Sequence, residues 1–503
     1  MSGVQSLLFV RPPRPLWPFN GPSTAFWPPL AFASLAAAVR DGTRGVSVAI
    51  LDAPAQRMGW RTLAHEIAAR RPTWVGIGEE AVSCVEGLRL ARMAKDAGAA
   101  VVAGGCFFGH VAREAVGAGL VDVVVHGEGE QTIVELADAL RSGHRSDLAG
   151  VAGITYADGE AVVTTEPRAL IPDLDRLPFP AYDLLPVERY GAGSRNHPGL
   201  AAIELGRGCI GACSFCILWR QMGRPLANGV APHLRTKSPD RILEEVRLLS
   251  RRFDRRYLGW VDPCFNADSR VPGEVAERLL REGRRLGQSA WVRADCLVRD
   301  ARSGALDALV RAGLNEVYLG VERPDADGLR AVRKTTSMDA TREAFAILAR
   351  DHPQVFTVGS FIYDLPGDTR ETMRAMHRLA GELGMDKAFF IPHAPLPGTD
   401  GWRPELWDAT GVRFREFDFL PSLRGRGARD DLDRALMSSF ALDWDLARVR
   451  SHVARLFHRD ARKRRIARHV VWRSAVFVGS MLTHRAVGAG MREGMVVPRW
   501  YES

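Results

Sequence analysis

The chain of 503 residues has no run of about 18 uninterrupted apolar residues, so no membrane-spanning helix is expected. Its opening, Met1-Ser-Gly-Val-Gln-Ser-Leu-Leu-Phe-Val10, lacks a basic segment ahead of an apolar stretch and reads as a first buried strand rather than a signal peptide. Cysteine is scarce: there are seven, Cys84, Cys106, Cys209, Cys213, Cys216, Cys264 and Cys296, and only three of them are clustered. That pattern excludes a secreted disulfide framework and makes a reducing cytoplasm the expected setting. No second cysteine pair stands where a structural zinc site would need one. No G-x-G-x-x-G follows the first strand, where Arg11-Pro12-Pro13 stands instead, which argues against a dinucleotide. No basic motif is interleaved with aromatics, so no nucleic-acid partner is expected. Internal repeats and low-complexity segments are absent too.

What is present is a chain long enough for two or three domains, with 46% hydrophobic and 25% charged residues, as in globular proteins. The net charge of +9 is carried mostly by Arg, much of it between Arg448 and Arg473. It reads as a solvated helical face, or as a surface for peripheral contact with anionic lipid or an acidic partner.

From residue 6 to about 141, short β-branched runs alternate with helical periodicity. Strands are expected at Leu7–Val10, Val46–Leu51, Trp74–Ile77, Val101–Ala103 and Val121–Val125, with helices near 30–40, 60–70, 84–97, 110–118 and 130–141. Such alternation predicts an α/β fold with a doubly wound parallel sheet, whose ligands sit past the carboxyl ends of the strands. Gly76, Gly78, Gly104, Gly105, Gly127 and Gly129 fall at that edge, where a missing side chain lets the backbone approach a ligand. A hairpin-like piece around Asp158-Gly159 and the proline-rich linker 175–183 follow.

A second alternating series has strands expected at Ala202–Leu205, Tyr257–Val261, Ala290–Arg293, Glu316–Val321, Val355–Tyr363 and Lys387–Ile391. Ser238, Pro239 and Asp240 signal a helix start, and Ile242, Val246 and Leu249 recur at helical spacing behind them. Six such units predict a partial (β/α)6 barrel with its active edge at the carboxyl ends of the strands. The expected division is therefore 1–145 as the doubly wound domain, 146–198 as hairpin and linker, 199–400 as the partial barrel and 401–503 as a helical, basic C-terminal region.

Cys209, Cys213 and Cys216 form a C-x3-C-x2-C run just after the first strand of the barrel. Three thiolates can hold three corners of a [4Fe–4S] cluster, leaving one iron open to a chelating small molecule. The alternative is zinc, completed by a lone histidine such as His197 or His233. With Phe215 before the last cysteine, the run resembles the motif of the radical S-adenosylmethionine superfamily. The resemblance implies that the open iron binds S-adenosylmethionine, and that a reduced donor such as a flavodoxin or ferredoxin supplies the electron that yields a 5′-deoxyadenosyl radical.

By the same resemblance, Asp262 in Gly259-Trp-Val-Asp-Pro-Cys-Phe-Asn266, Arg293 beside Asp295, and Glu322 in Gly320-Val-Glu-Arg323 are expected to contact S-adenosylmethionine. Phe361-Ile-Tyr-Asp-Leu-Pro-Gly-Asp368 resembles the adenine-side segment, with Asp364 where glycine is usual. Cys264 and Cys296, next to these segments, are candidate catalytic thiols; buried cysteine as a small hydrophobe is the plainer reading.

The first domain is similar to the cobalamin-binding domain fused to many radical enzymes, through Trp27-Pro-Pro-Leu30, Val75-Gly-Ile-Gly78, Val102-Ala-Gly-Gly105 and Val125-His-Gly-Glu-Gly-Glu130. This adds Glu128 to the six glycines as an expected cobalamin contact. Asp52 is followed by Ala-Pro-Ala and no D-x-H-x-x-G occurs, so no axial histidine is expected. The layout implies a cobalamin-dependent radical enzyme that methylates an unactivated carbon of a bulky, apolar small molecule. The other activity it implies is oxidative cyclisation, as in the anaerobic magnesium-protoporphyrin monomethyl ester cyclase, which the motif order and the Phe414–Phe440 region also resemble; the apolar helix at 470–477 would suit a large tetrapyrrole-like or lipid-like substrate.

Overall fold

A computed structural model describes residues 5–13, 27–78, 84–142, 145–363, 365–393, 396–402, 453–468, 471–472 and 503. The first sheet is built from β1 (Gln5–Arg11), β2 (Val46–Asp52), β3 (Trp74–Ile77), β4 (Ala100–Ala103), β5 (Val123–Val125), β6 (Ile154–Asp158) and β7 (Ala161–Thr164), in the order β2-β1-β3-β4-β5-β6-β7. The five leading strands are parallel, and β6 and β7 add to the edge as an antiparallel hairpin. Hairpin and doubly wound sheet are thus one sheet.

Period-2 alternation decides where each side chain goes. Leu7 and Phe9 of β1 join the core cluster that includes Phe32 and Ala36, and Leu8 and Val10 join the opposite one with Trp60, Leu63 and Ile67. Both faces are covered, as a parallel sheet requires. The helices Leu30–Gly42, Trp60–Arg70, Cys84–Asp96, Ala112–Gly117 and Glu130–Ser142 lie close to their expected positions.

The second body is a six-stranded parallel sheet. Its strands are β8 (Leu200–Ile203) and, beyond β9 (Gly206–Cys209), β10 (Arg224–Leu226), β11 (Gly229–Ala231) and β12 (His233–Thr236), the series β13 (Tyr257–Trp260), β14 (Gly287–Val292), β15 (Leu314–Glu322), β16 (Phe356–Tyr363) and β17 (Lys387–Pro392). Their order, β8-β13-β14-β15-β16-β17, follows the chain, as in a partial barrel. The small strands stand apart from it: β9 pairs antiparallel with β12, and β10 with β11.

The helix Pro239–Arg252 starts as expected, with the Ser238 hydroxyl accepting from the Arg241 amide at 3.2 Å and Ile242, Val246 and Leu249 fully buried. The proline-rich 175–183 segment is not a free linker. Ala181 and Tyr182, with Leu185 and Tyr190 just beyond, are buried in a core continuous between first sheet and barrel. Tyr182 donates to Glu245 and Tyr190 to Asp52, each at 2.7 Å.

Of the C-terminal region, residues 401–402, 453–468, 471–472 and 503 are described, with helix at 453–456 and 461–468. Arg462 binds Glu316 of β15 at 2.7 Å, and Lys463 binds Asp386 at 2.8 Å. Part of the basic charge is therefore spent inside the molecule. The Phe414–Phe440 region and, apart from Val471 and Trp472, the helix expected at 470–477 lie outside the described residues. No described helix is long and apolar enough to cross a membrane.

Candidate active site

Cys209 ends β9, and Cys213 and Cys216 follow in the loop before the short helix Leu218–Gln221. Gly208, at φ +97°, lets β9 meet β12: a Cβ there would lie 1.8 Å from the His233 carbonyl oxygen. The loop is pinned by the Trp219 indole N–H donating to the Cys213 carbonyl at 2.9 Å and by the Ser214 amide donating to the Val332 carbonyl at 3.0 Å. A Cβ on Gly211 would meet Arg293 Nη1 at 3.0 Å, Cys209 Sγ at 3.8 Å and Cys213 Sγ at 3.9 Å. Glycine thus keeps open a hollow shared by two thiols and a guanidinium.

Among the described residues no three His, Cys, Asp or Glu side chains converge tightly enough to chelate a single metal ion. His197, one of the two histidines that could complete a zinc site, is bonded to Glu316 at 2.9 Å. Three thiols on one short loop suit a cubane, whose ligands sit at separate corners, better than one ion.

The thiols differ in environment. A hydrogen bond with Cys264, then the Gly211 amide and the charges of Arg293 and Lys334, bring Cys209 down to about 6 against the upward push of burial. Burial raises Cys213 and carries Cys216 to about 11. Arg293, after β14, is held by Asp295 at 2.6 Å and Thr335 at 2.9 Å. Glu322 ends β15 at φ +66°, beside a register shift, and binds Lys334 at 3.2 Å. A non-glycine residue held there is strained, as side chains at functional sites often are. Arg293 and Glu322 thus reach the hollow's surroundings. Lys334 is an addition that the sequence pattern did not mark, because it lies past a helix from the strand end.

Several expected contacts are engaged elsewhere. Asp262 is buried and accepts from the Leu205 amide at 3.0 Å and the Gly206 amide at 2.6 Å, so its carboxylate braces the turn from β8 into β9. Burial raises its pKa to about 7. Asp364 lies outside the described residues, but Asp368 in the same segment binds Arg323 at 2.9 Å. Cys264 and Cys296 are buried; the Cys264 thiol donates to Asn266 Oδ1 at 3.9 Å and lies close enough to Cys209 to lower that thiol's pKa. The first of them therefore adjoins the cysteine trio.

The edge glycines divide in the same way. The spaces where Gly76 and Gly78 would carry a Cβ are filled by the rings of Phe9 and Phe32, and that of Gly129 by Leu35, so internal packing accounts for all three. Gly104 has only ordinary contacts, and Gly105 at φ +84° and Gly127 at φ +64° are exposed. These three remain available at the strand edge. Glu128 is buried and bonded to Arg207 and Arg235, each at 2.7 Å.

The carboxyl edges of the two sheets meet around the cysteine loop. The Cys106 thiol donates to Gln221 of the helix after the trio. A Cβ on Gly398 would collide with His110 and Ile217, and Trp27 fills the space above Gly259 of β13.

Comparison with known proteins gives the same two-part picture. Residues 203–380 match the Radical SAM superfamily and residues 19–137 the B12 binding domain. An uncharacterized methyltransferase of Pyrococcus horikoshii is 30% identical over 390 residues, 75% of this chain and 78% of that protein. The anaerobic magnesium-protoporphyrin IX monomethyl ester cyclase of Rubrivivax gelatinosus is 27% identical over 423 residues, 82% of this chain and 72% of that protein. The structure of the radical S-adenosylmethionine methyltransferase TsrM from Kitasatospora setae, with cobalamin and a [4Fe–4S] cluster bound, superposes with a TM-score of 0.59 at 19% identity. The superposition covers 78% of this chain and 75% of that one.

Proposed function

Because this chain belongs to the radical SAM superfamily, in the group that carries a B12-binding domain, we propose that it transfers a methyl group to an unactivated carbon of a bulky, apolar small molecule. It is a radical SAM enzyme whose cofactors are a [4Fe–4S] cluster, S-adenosylmethionine and cobalamin. Bound together, these supply a 5′-deoxyadenosyl radical and a methyl carrier, and the protein's part is to orient, tune and exclude water.

The single observation that carries the reading is the meeting of the two carboxyl edges, with the glycine-opened loops after β4 and β5 beside the Cys209–Cys216 loop. Cys209, Cys213 and Cys216 hold the cluster, and glycine at 211 keeps the loop clear of a side chain beside two of their sulfurs. Arg293 and Lys334 place positive charge beside the thiolates and suit the carboxylate of S-adenosylmethionine. Gly104, Gly105 and Gly127 form the cobalamin edge. A one-electron donor such as a flavodoxin or ferredoxin reduces the cluster, and the setting is the cytoplasm.

For the C-terminal region, the ion pairs of Arg462 and Lys463 with the barrel support a bracing role first. Lipid contact is left to the exposed Phe457 and Trp472.

The likeness to the ester cyclase supports the second reading, oxidative cyclisation without net methylation. Anaerobic reconstitution, followed by iron, sulfide and cobalt counts and by product mass, separates the two. A gain of one methylene supports transfer, and oxygen insertion or loss of hydrogen supports the oxidative route. Absence of cobalt sinks the cobalamin assignment.

A further inference from the structure

Arg207 stands on β9 two residues before Cys209. Its guanidinium is buried and reaches three carboxylates: Glu204 at 3.1 Å through Nε, Glu128 at 2.7 Å through Nη1 and Glu130 at 2.6 Å through Nη2. Arg235 of β12 lies directly opposite Arg207 in the β9–β12 register. Through Nη1 it donates to the other Glu128 oxygen at 2.7 Å and to the Ile171 carbonyl at 2.5 Å. The Ile171 amide donates to Glu128 as well, at 2.7 Å. Burial pushes the Glu128 carboxyl upward, yet the two arginines hold it below the usual carboxylate range, so it is charged.

We propose that Glu128 is a positioning residue, a latch by which Arg207 and Arg235 register the Gly127–Gly129 loop of the first sheet against the strand that ends in Cys209. The loop has two sides. Gly127 leaves its side open at the expected cobalamin edge, and Glu128 turns the other way to Arg207 of β9 and Arg235 of β12. Three charge-assisted contacts converge on Glu128, and planar arginine forks fix direction as well as distance. A buried pair of this kind contributes little net stability but specifies one arrangement, and that is what two cofactors sharing one methyl group need. Misplacement by about 1 Å can cost about 100-fold in rate.

The proposal rests on the cobalamin reading above, and Glu128→Gln in the full chain, reconstituted anaerobically with iron, sulfide and hydroxocobalamin, tests it. Glutamine keeps the size and removes the charge. Iron and cobalt per chain should equal those of the unaltered protein. Pulsed electron paramagnetic resonance between the reduced cluster and cob(II)alamin should show one narrow distance in the unaltered protein and a broadened distribution in the variant. Methyl transfer should fall about 10- to 100-fold in kcat, with KM little changed. Arg207→Lys, which cannot span three carboxylates, should behave alike and serves if the first variant does not fold. Loss of cobalt alone in Glu128→Gln would make Glu128 a cofactor contact and overturn the latch. An unchanged distance distribution and rate would overturn it too. No cobalt in the unaltered protein would instead sink the cobalamin reading, and the latch with it.

Discussion

Cys213 is half-buried and Cys264 buried, and different groups surround their sulfurs. Cys213 borders the open hollow under Gly211, and Cys264 leans on the Cys209 sulfur. Cys213→Ala should therefore reduce cluster iron and S-adenosylmethionine cleavage to background, read by iron content and 5′-deoxyadenosine formation. Cys264→Ala should leave iron per chain unchanged and lower the midpoint potential of the cluster, because a hydrogen bond to a ligand sulfur favours the reduced form. Redox titration reads that shift, and an unchanged potential would show that the thiol does not touch the cluster ligand. The trio was legible because its spacing alone implies its chemistry. Asp262 and Glu128 were expected as cofactor contacts, and their partners in the fold, two backbone amides and two arginines, were not legible, because position at a strand end does not tell which way a carboxylate turns. Arg207, two residues before a recognised ligand, carried no pattern of its own.

At the level of elements, alternating and helical periodicities placed the parallel strands of both main sheets and the helices of the first within a few residues, whereas β9 to β12 carried no such signal. The expected strand 202–205 instead ends at Ile203, because Asp262 takes the Leu205 and Gly206 amides and turns the chain into β9. The 175–183 segment has linker composition but buries Tyr182, whose hydroxyl finds Glu245, a partner 63 residues away that no local signal announces. The β9–β12 pair depends on Gly208. Gly208→Ala would place a methyl 1.8 Å from the His233 carbonyl oxygen at φ +97°, a conformation that L side chains rarely adopt. The expected cost is about 2 kcal/mol or more, with part of the cluster iron lost as the strand bearing Cys209 shifts. Denaturant midpoints and iron counts check it; a variant with full iron and unchanged midpoint would mean that β9 is free to move away.

On the scale of the whole molecule, the amino-end half of the barrel is closed by charge. Glu316 of β15 is buried between His197 at 2.9 Å, Arg462 at 2.7 Å and the Tyr318 hydroxyl at 2.6 Å. Burial alone would raise its pKa, but His197 and Arg462 outweigh burial and hold it at about 2. Its reference value is 4.5, so the folded state binds this proton more weakly than the unfolded chain does. The stabilisation is complete above about pH 4.5 and is lost as pH falls toward 2, a span of roughly 3 kcal/mol. Because Arg462 belongs to the C-terminal helix, the loss also undocks that helix from the barrel. Glu316→Gln should therefore lower stability at pH 7 and flatten the acid limb of the stability curve, measured by denaturant unfolding between pH 3 and 7. It should also speed amide exchange across residues 461–468, whereas exchange in β1, which belongs to the first sheet, should stay as slow as before. Equal acid limbs in the two proteins would show that Arg462 and His197 do not hold this carboxylate charged.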